Sequence, residues 1–387
     1  MKIAILGTRG IPNHYGGFEQ CAEYLALGLV RRGHEVIVYN SHNHPYQEAE
    51  WNNVKLIHIK DPERTLGTAG QFIYDLRCIL DVRKQNCDVV LQLGYTSSSI
   101  WGWLMPQKSV ITTNMDGLEW KRTKYGKNVQ RFLQFAESCG VRYSDHLISD
   151  SIGIQQYLKE KYKSESTYIP YGANPFTNPE VKVLEDYALT AFDYDLLIAR
   201  LEPENSIEII LDGVVKASVN RPFLVIGDHM TKYGEYLKAK YKDCTRIRFT
   251  GGIYKIGILN NLRYFSNLYF HGHTVGGTNP SLLEAMASNS LISANNNPFN
   301  RYILGEDAFY FDDKNDVAEL LRRVRKTDDN CPELIQNNMQ KIRHTYTWDN
   351  IIDQYESHFY DIVYGESQVE TIKLNVPVKP KYYKTSI

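Results

Sequence analysis

The sequence predicts an α/β protein built from two Rossmann-like parallel-sheet domains that face each other across a cleft. Three observations predict it. Short apolar runs alternate with amphipathic stretches along most of the 387 residues. The alternation runs twice, and a stretch rich in turn-forming residues, Tyr171–Tyr187, separates the two series. The most glycine-rich turns directly follow apolar runs, which is where parallel sheets bind ligands.

Lys2–Leu6 is an apolar run suited to a buried strand. Gly7–Gly17 carries four glycines and Pro12 and reads as a loop. In Phe18–Arg32 the residues Cys21, Leu25 and Leu29 recur at helical spacing, and Gly33 sits where a C-cap belongs. Glu35–Tyr39 completes a β-loop-α-β unit, the building block of a parallel sheet. Val54–Ile59, Val89–Leu93, Ser109–Thr113, Leu147–Ser149 and Thr167–Ile169 continue the strands. Helices are predicted between them at Gln71–Lys84, Gly126–Tyr143 and Ile152–Tyr162. The second series places strands at Leu196–Ala199, Phe223–Ile226, Arg246–Phe249, Leu268–Phe270 and Leu291–Ala294. Its helices are predicted at Ile207–Asn220, Lys232–Tyr241, Ile256–Tyr264, Ser281–Ala287 and Asp316–Lys326. Trp348–Tyr364 reads as a last amphipathic helix, and 367–387 as an extended or frayed tail. These elements divide the chain into domains at 1–185 and 186–345, with a terminal helix and tail at 346–387 expected to pack back on the first domain.

Composition excludes several classes. Lys and Arg number 44 against 45 Asp and Glu, so bulk charge does not draw this chain to nucleic acid. No apolar run approaches the roughly 18 residues of a membrane span. The opening MKIAILGTRG lacks the apolar stretch of about 7–15 residues that a secretory leader needs, so a cytoplasmic protein is expected. Six cysteines are scattered without a C-x-x-C pair and read as reduced packing thiols. The pairs His271/His273 and His42/His44 lack a third ligand at usable spacing, so no metal site is expected. No G-x-G-x-x-G follows the first strand, which argues against dinucleotide oxidation chemistry.

The strongest local signal is Gly276-Gly277-Thr278-Asn279-Pro280-Ser281-Leu282-Leu283-Glu284-Ala285-Met286-Ala287. Asn279 suits a helix N-cap and Pro280 the first helical position. Backbone N–H groups at such a helix start attract phosphate. Glu284, one turn further in, can accept the two hydroxyls of a ribose. The same spacing fits a plain capped helix equally well.

This stretch resembles the signature of the GT-B retaining glycosyltransferases of family four, whose second Glu, before Ala-Met-Ala, matches Glu284 and holds the nucleotide ribose. The family's first Glu, seven residues earlier plus one, is Gly276 here. Ala199-Arg200-Leu201-Glu202-Pro203-Glu204-Asn205 is similar to the family's Gly-Arg-Leu-x-x-Glu-Lys segment, with Arg200 kept and the Lys replaced by Asn205. Phe249 to Tyr254 matches the segment flanking the nucleobase, which makes Tyr254 a candidate for base stacking. Ile169-Pro170-Tyr171-Gly172-Ala173 looks like the family's linker entry, and Gly16-Gly17-Phe18-Glu19 its opening of the first helix. The longer string from Gly7 to Glu19, with Met115-Asp116-Gly117-Leu118-Glu119-Trp120-Lys121-Arg122, resembles a bacterial subgroup that includes rhamnosyltransferases of capsule and exopolysaccharide assembly.

The resemblance implies a metal-independent, retaining transfer of a sugar, rhamnose in that subgroup, from a dTDP- or UDP-linked donor, which is a substrate and not a cofactor. The acceptor would be a saccharide or lipid-linked oligosaccharide at the inner membrane face. The first domain would bind acceptor and the second the nucleotide sugar. Donor-binding candidates are Gly16, Gly17, Arg200, Asn205, Tyr254, Gly277, Thr278, Asn279 and Glu284. Acceptor-side candidates are Arg9, Tyr15, Trp120 and Arg122. Asp116 and Arg200 are the catalytic candidates: Asp116, where many members carry His-Asp and this chain Met115-Asp116, would orient a hydroxyl or take its proton. It reads equally as a turn-forming Asp before Gly117. Lys121, Arg122, Lys124 and Lys127 form a small basic run, read as a solvated face or a contact for an anionic lipid. Two other functions share the fold: a nucleotide-sugar epimerase, which needs acid–base groups around the donor sugar, and a non-catalytic nucleotide-binding partner of a polysaccharide complex.

Overall fold

The computed structural model describes residues 1–14, 16–122 and 125–365. The first sheet contains β1 (Lys2–Leu6), β2 (Glu35–Ser41), β3 (Glu50–Trp51), β4 (Val54–Ile59), β5 (Val89–Leu93), β6 (Val110–Asn114), β7 (His146–Ser149) and β8 (Thr167–Tyr168). Its order is β3-β4-β2-β1-β5-β6-β7-β8, parallel throughout except for the β3–β4 pair. The second contains β9 (Asp195–Ile198), β10 (Phe223–Ile226), β11 (Ile247–Gly251), β12 (Tyr269–His271), β13 (Ile292–Asn295) and β14 (Phe309–Phe311), in the order β11-β10-β9-β12-β13-β14. All of its pairs are parallel. In each sheet the strand order reverses once, between β1 and β5 and between β9 and β12. Ligands of open parallel sheets bind outside the carboxyl ends at such reversals.

The central strands are apolar because helices cover both faces. Every residue of β5 and β10 is buried. One continuous apolar cluster joins Ile3, Ile5, Leu25 and Leu29 of the first domain to Leu196, Leu282 and Met286 of the second, and to Trp348 and Ile352. The last helix, Trp348–Tyr364, crosses back to the first sheet. There His358 Nε2 bonds Thr112 Oγ1 at 2.9 Å, and Tyr355 accepts from Asn114 Nδ2 at 3.2 Å. A Cβ on Gly28 would lie 2.4 Å from Ile352 Cδ1, so the first helix can pack this closely only with glycine there. Residues 367–387 lie outside the described residues.

Some elements depart from expectation. The separating stretch contains a 3-10 helix, Val181–Tyr187, with Leu184 buried and the Glu180 N–H donated to Asn261 Oδ1 at 2.6 Å. The helix expected at Asp316–Lys326 runs Lys314–Arg323, because Asp313 and Asp316 form a reciprocal capping box that starts it earlier. Five of the six cysteines are buried, and all six are free thiols.

Candidate active site

The carboxyl ends of the two sheets meet in a closed seam. The helix Gly17–Arg31 is the first element after β1, beyond the 7–16 loop, and the helix Pro280–Ala287 follows β12. Their N-termini face one another: a Cβ on Gly17 would lie 3.7 Å from Pro280 Cγ. Gly16 has φ 118°, and the Glu19 carboxylate fills the place its Cβ would take. That carboxylate accepts the Arg9 N–H at 2.8 Å, and its burial raises its pKa.

The 275–279 turn is pressed against the first domain. A Cβ on Gly117 would come within 3.0 Å of Gly276 Cα. A Cβ on Gly277 would fall 1.8 Å from Asp150 Oδ1 and 2.1 Å from Oδ2. Thr278 N–H donates to Asp150 Oδ2 at 3.1 Å, and its hydroxyl donates to the Asp150 carbonyl. Asn279 caps the helix by accepting from Ser281 N–H at 2.9 Å. Among the described residues, the N–H groups of Gly276 and Gly277 donate to nothing.

Glu284 is oriented from both sides. Arg263, 1% exposed in its side chain, pairs with Glu284 Oε2 at 2.7 Å, and Gln20 of the first domain donates to Oε1 at 3.2 Å. Arg263 also donates to Ser281 Oγ, which bonds the Tyr269 hydroxyl. The sequence offered no signal for Arg263, a cation inside a helical stretch.

Arg200 follows β9 and is exposed, and among the described residues no carboxylate lies within ion-pair distance of it. Glu204, four residues after Arg200, faces Arg122 of the first domain at 3.6 Å. Arg122 also holds Glu119 at 2.6 Å. Asn205 is 4% exposed and spends its amide on the Arg200 carbonyl at 2.7 Å, so it shapes this turn. Its carbonyl leaves no room for a Cβ on Gly272.

Asp116 follows β6 with φ 36°. Burial pushes its carboxyl up to about 6, the nearby Glu119 adds to that, and the Arg122 and Arg200 guanidiniums oppose it. Asp150, after β7, is raised well above the carboxylate range, first by burial and then by Asp116. Among the described residues its Oδ1 is buried without a hydrogen-bond partner, as are both oxygens of Glu204, whose contact with Arg122 is an ion pair beyond hydrogen-bond length. At the end of β12, His271 and His273 stack at 4.4 Å, and among the described residues both ring nitrogens of His271 and Nδ1 of His273 have no hydrogen-bond partner. Burial, then Arg200 and Arg122, lower His273 to about 3, so it is neutral. Among the described residues no three groups could hold a metal ion together.

The remaining candidates sit apart from this cluster. The Arg9 guanidinium pairs with Glu63 at 2.9 Å and lies over Tyr74. Trp120 donates its indole N–H to buried Glu137 at 3.1 Å, and Lys121 and Lys161 lie over its ring. With Arg122 in the seam and Lys121 on Trp120, the basic run does not form one solvated face. Tyr254 is 67% exposed beyond β11, its hydroxyl folded over Gly252. Tyr15 and Lys124 lie outside the described residues. Asp150 is the residue that sequence reading missed with a usable signal: an Asp directly after a strand, at the carboxyl edge.

Residues 1–174 match a family model described as a domain of unknown function, DUF1972. No curated protein matches the chain. Solved structures do. Sucrose-phosphate synthase from Thermosynechococcus elongatus is 17% identical with a TM-score of 0.76, over 93% of this chain and 98% of that one. HepE from Anabaena, in complex with UDP and glucose, is 15% identical with a TM-score of 0.74, over 93% and 100%. The catalytic domain of starch synthase IV from Arabidopsis thaliana, bound to ADP and acarbose, is 13% identical with a TM-score of 0.70, over 94% and 99%. The fold is therefore GT-B, two parallel-sheet domains face to face.

Proposed function

We propose that this chain is a retaining glycosyltransferase that moves a sugar from a nucleoside-diphosphate donor to a saccharide or lipid-linked acceptor. The observation that carries the reading is the seam itself: a guanidinium, Arg200, with no ion-pair partner among the described residues, and the N–H groups of Gly276 and Gly277, unpartnered among those residues, at a helix start on adjoining switch-point strands. Such a set suits a diphosphate. The HepE and starch synthase structures, which hold UDP and ADP, support a nucleotide donor here by likeness of fold. A dTDP- or UDP-linked rhamnose donor and a role in surface polysaccharide assembly rest on the sequence resemblance.

In this reading the leaving diphosphate gathers charge as the glycosidic bond breaks. Arg200 and the 276–281 turn stabilise that charge, in a site already built before reaction. Glu284, fixed by Arg263 and Gln20, takes the ribose. Closure of the domains excludes water that would otherwise hydrolyse the donor. Asp116, ionised above about pH 6, orients the acceptor hydroxyl or takes its proton.

Thermal stabilisation of the purified chain by dTDP, UDP and their sugars tests it, because a ligand that binds only the native state raises apparent stability. Arg200→Ala should keep the fold and weaken nucleotide binding roughly 10–100-fold, the loss of about one charge-assisted phosphate bond. Asp116→Asn should bind nucleotide normally and lose turnover. Undiminished binding in Arg200→Ala refutes the assignment.

A further inference from the structure

The outer face of the first domain carries exposed aromatic residues that the transfer reading does not use. Trp103 is 64% exposed and Phe135 56%, and Val129, Phe132 and Leu80 are also exposed. Scattered apolar residues on a surface are ordinary, but a contiguous patch marks an interaction site. Three rings here, Phe72, Phe132 and Phe135, are contiguous. Phe132 lies 5.6 Å from Phe72 and 6.5 Å from Phe135, ring to ring. Phe72 and Leu80 are eight residues apart in the helix Thr68–Val82 and share one side of it. Trp103 belongs to the 3-10 helix Ser99–Leu104, which packs so closely on the helix Lys127–Tyr143 that a Cβ on Gly102 would lie 2.4 Å from Tyr143 Cβ.

Cations surround the rings. On the helix Lys127–Tyr143, Lys127, Arg131 and Arg142 are exposed. Arg131 precedes Phe135 by four residues and Arg142 follows it by seven, so all three line one side. The one acid of that helix, Glu137, is 1% exposed and turned inward to Tyr157, Tyr162 and Lys161. Arg83 is exposed on the same flank, its guanidinium bonded to the Leu104 carbonyl. The solvent side of the helix is therefore basic and aromatic with no carboxylate.

We propose that this face docks on the surface of an anionic lipid bilayer. Charge complementarity selects anionic headgroups, and the apolar rings enter the headgroup–acyl boundary while the Arg and Lys stems extend back to the phosphates. The attachment is peripheral, since among the described residues no helix is long and apolar enough to cross a membrane. The docking helix starts just after Arg122, which reaches Glu204 across the seam, so a bilayer on this face lies beside the cleft. A lipid-linked acceptor could then reach the site without leaving the membrane. That last consequence rests on the transferase reading; the docking does not.

Sedimentation of the full chain with vesicles tests the docking, with no nucleotide or acceptor added, so its outcome is independent of the transfer reaction. Vesicles of phosphatidylcholine alone are compared with vesicles containing about one-third phosphatidylglycerol, at low and high salt. The chain should pellet with the anionic vesicles only, and less at high salt. Arg131→Glu, a two-charge change at an exposed position, should lower partitioning by roughly an order of magnitude at low salt. Trp103→Ala combined with Phe135→Ala should lower it at least about tenfold at either salt concentration, with an unchanged melting profile. Parent protein left in the supernatant with both vesicle types overturns the proposal. So does equal pelleting of the parent and both variants. A dimer in gel filtration that Trp103→Ala/Phe135→Ala turns into monomer also overturns it, because the patch is then covered by a second copy.

Discussion

Replacing Gly277 with Ala tests whether the two domains are held together by the contact seen at the seam. The added methyl group would sit 1.8 Å from one oxygen of Asp150 and 2.1 Å from the other, far inside van der Waals contact. The Asp150 side chain is 1% exposed and cannot simply swing into solvent. Either its carboxyl gives up the Thr278 N–H or the domains separate. Losing that hydrogen bond costs about 1 kcal/mol, and overpacking a tight contact about 1–3 kcal/mol, for a total of roughly 2–4 kcal/mol. Over a domain of this size that lowers Tm by about 5–10 °C. Melting of four proteins measures it: parent, Gly277→Ala, Asp150→Ala, and the double variant. Because the clash is with the Asp150 carboxyl, removing that carboxyl should relieve most of the glycine effect, leaving a coupling energy of at least about 1 kcal/mol. Small-angle scattering should show the single Gly277→Ala chain more open than the parent. Additive effects of the two substitutions would refute the reasoning, and so would a Gly277→Ala chain that melts like the parent.

Glu284→Ala leaves the guanidinium of Arg263, 1% exposed in its side chain, without its carboxylate, and breaking a buried pair from one side costs about 3–5 kcal/mol; urea unfolding of this variant should show that loss, and a parent-like midpoint would refute it. His358, 5% exposed between Thr112 and Thr167, is lowered to about 4, mainly by burial and then by His146. The unfolded chain therefore takes up a proton near pH 6.5 that the folded chain refuses until about 4. Its stability contribution is full above pH 6.5 and declines as pH falls through that window, by up to about 3 kcal/mol. The difference in urea midpoint between parent and His358→Gln, measured at pH 7 and pH 5, should shrink at the lower pH; a constant difference would sink the account.

The fully buried strands were legible because burial on both faces leaves an unbroken apolar run, as in Val89–Leu93 and Phe223–Ile226. β3 was not: it has two residues and an exposed Glu50. The alternation of strands and helices gave the two-layer order but not the closeness of the layers, because contacts such as Thr278 with Asp150 join residues 128 positions apart. Asn205 shows the same limit. Read along the chain, it is a phosphate ligand that has lost its charge. In the folded molecule its amide is already bonded to the Arg200 carbonyl, so its part is to hold the turn that presents Arg200.

Gly277 carries this furthest. A glycine before a capped helix reads as room for a phosphate, and in the structure it is also room for Asp150. The two causes make different demands. If phosphate approach alone requires the glycine, Gly277→Ala weakens nucleotide binding by the same factor whether or not Asp150 is present. If interdomain contact requires it, Asp150→Ala restores much of that binding, because the binding lost was the closed form and not the ligand contact. The unpartnered Oδ1 of Asp150 favours the second cause: a buried carboxyl retained with one oxygen unsatisfied is expensive unless its other contacts hold the domains in place.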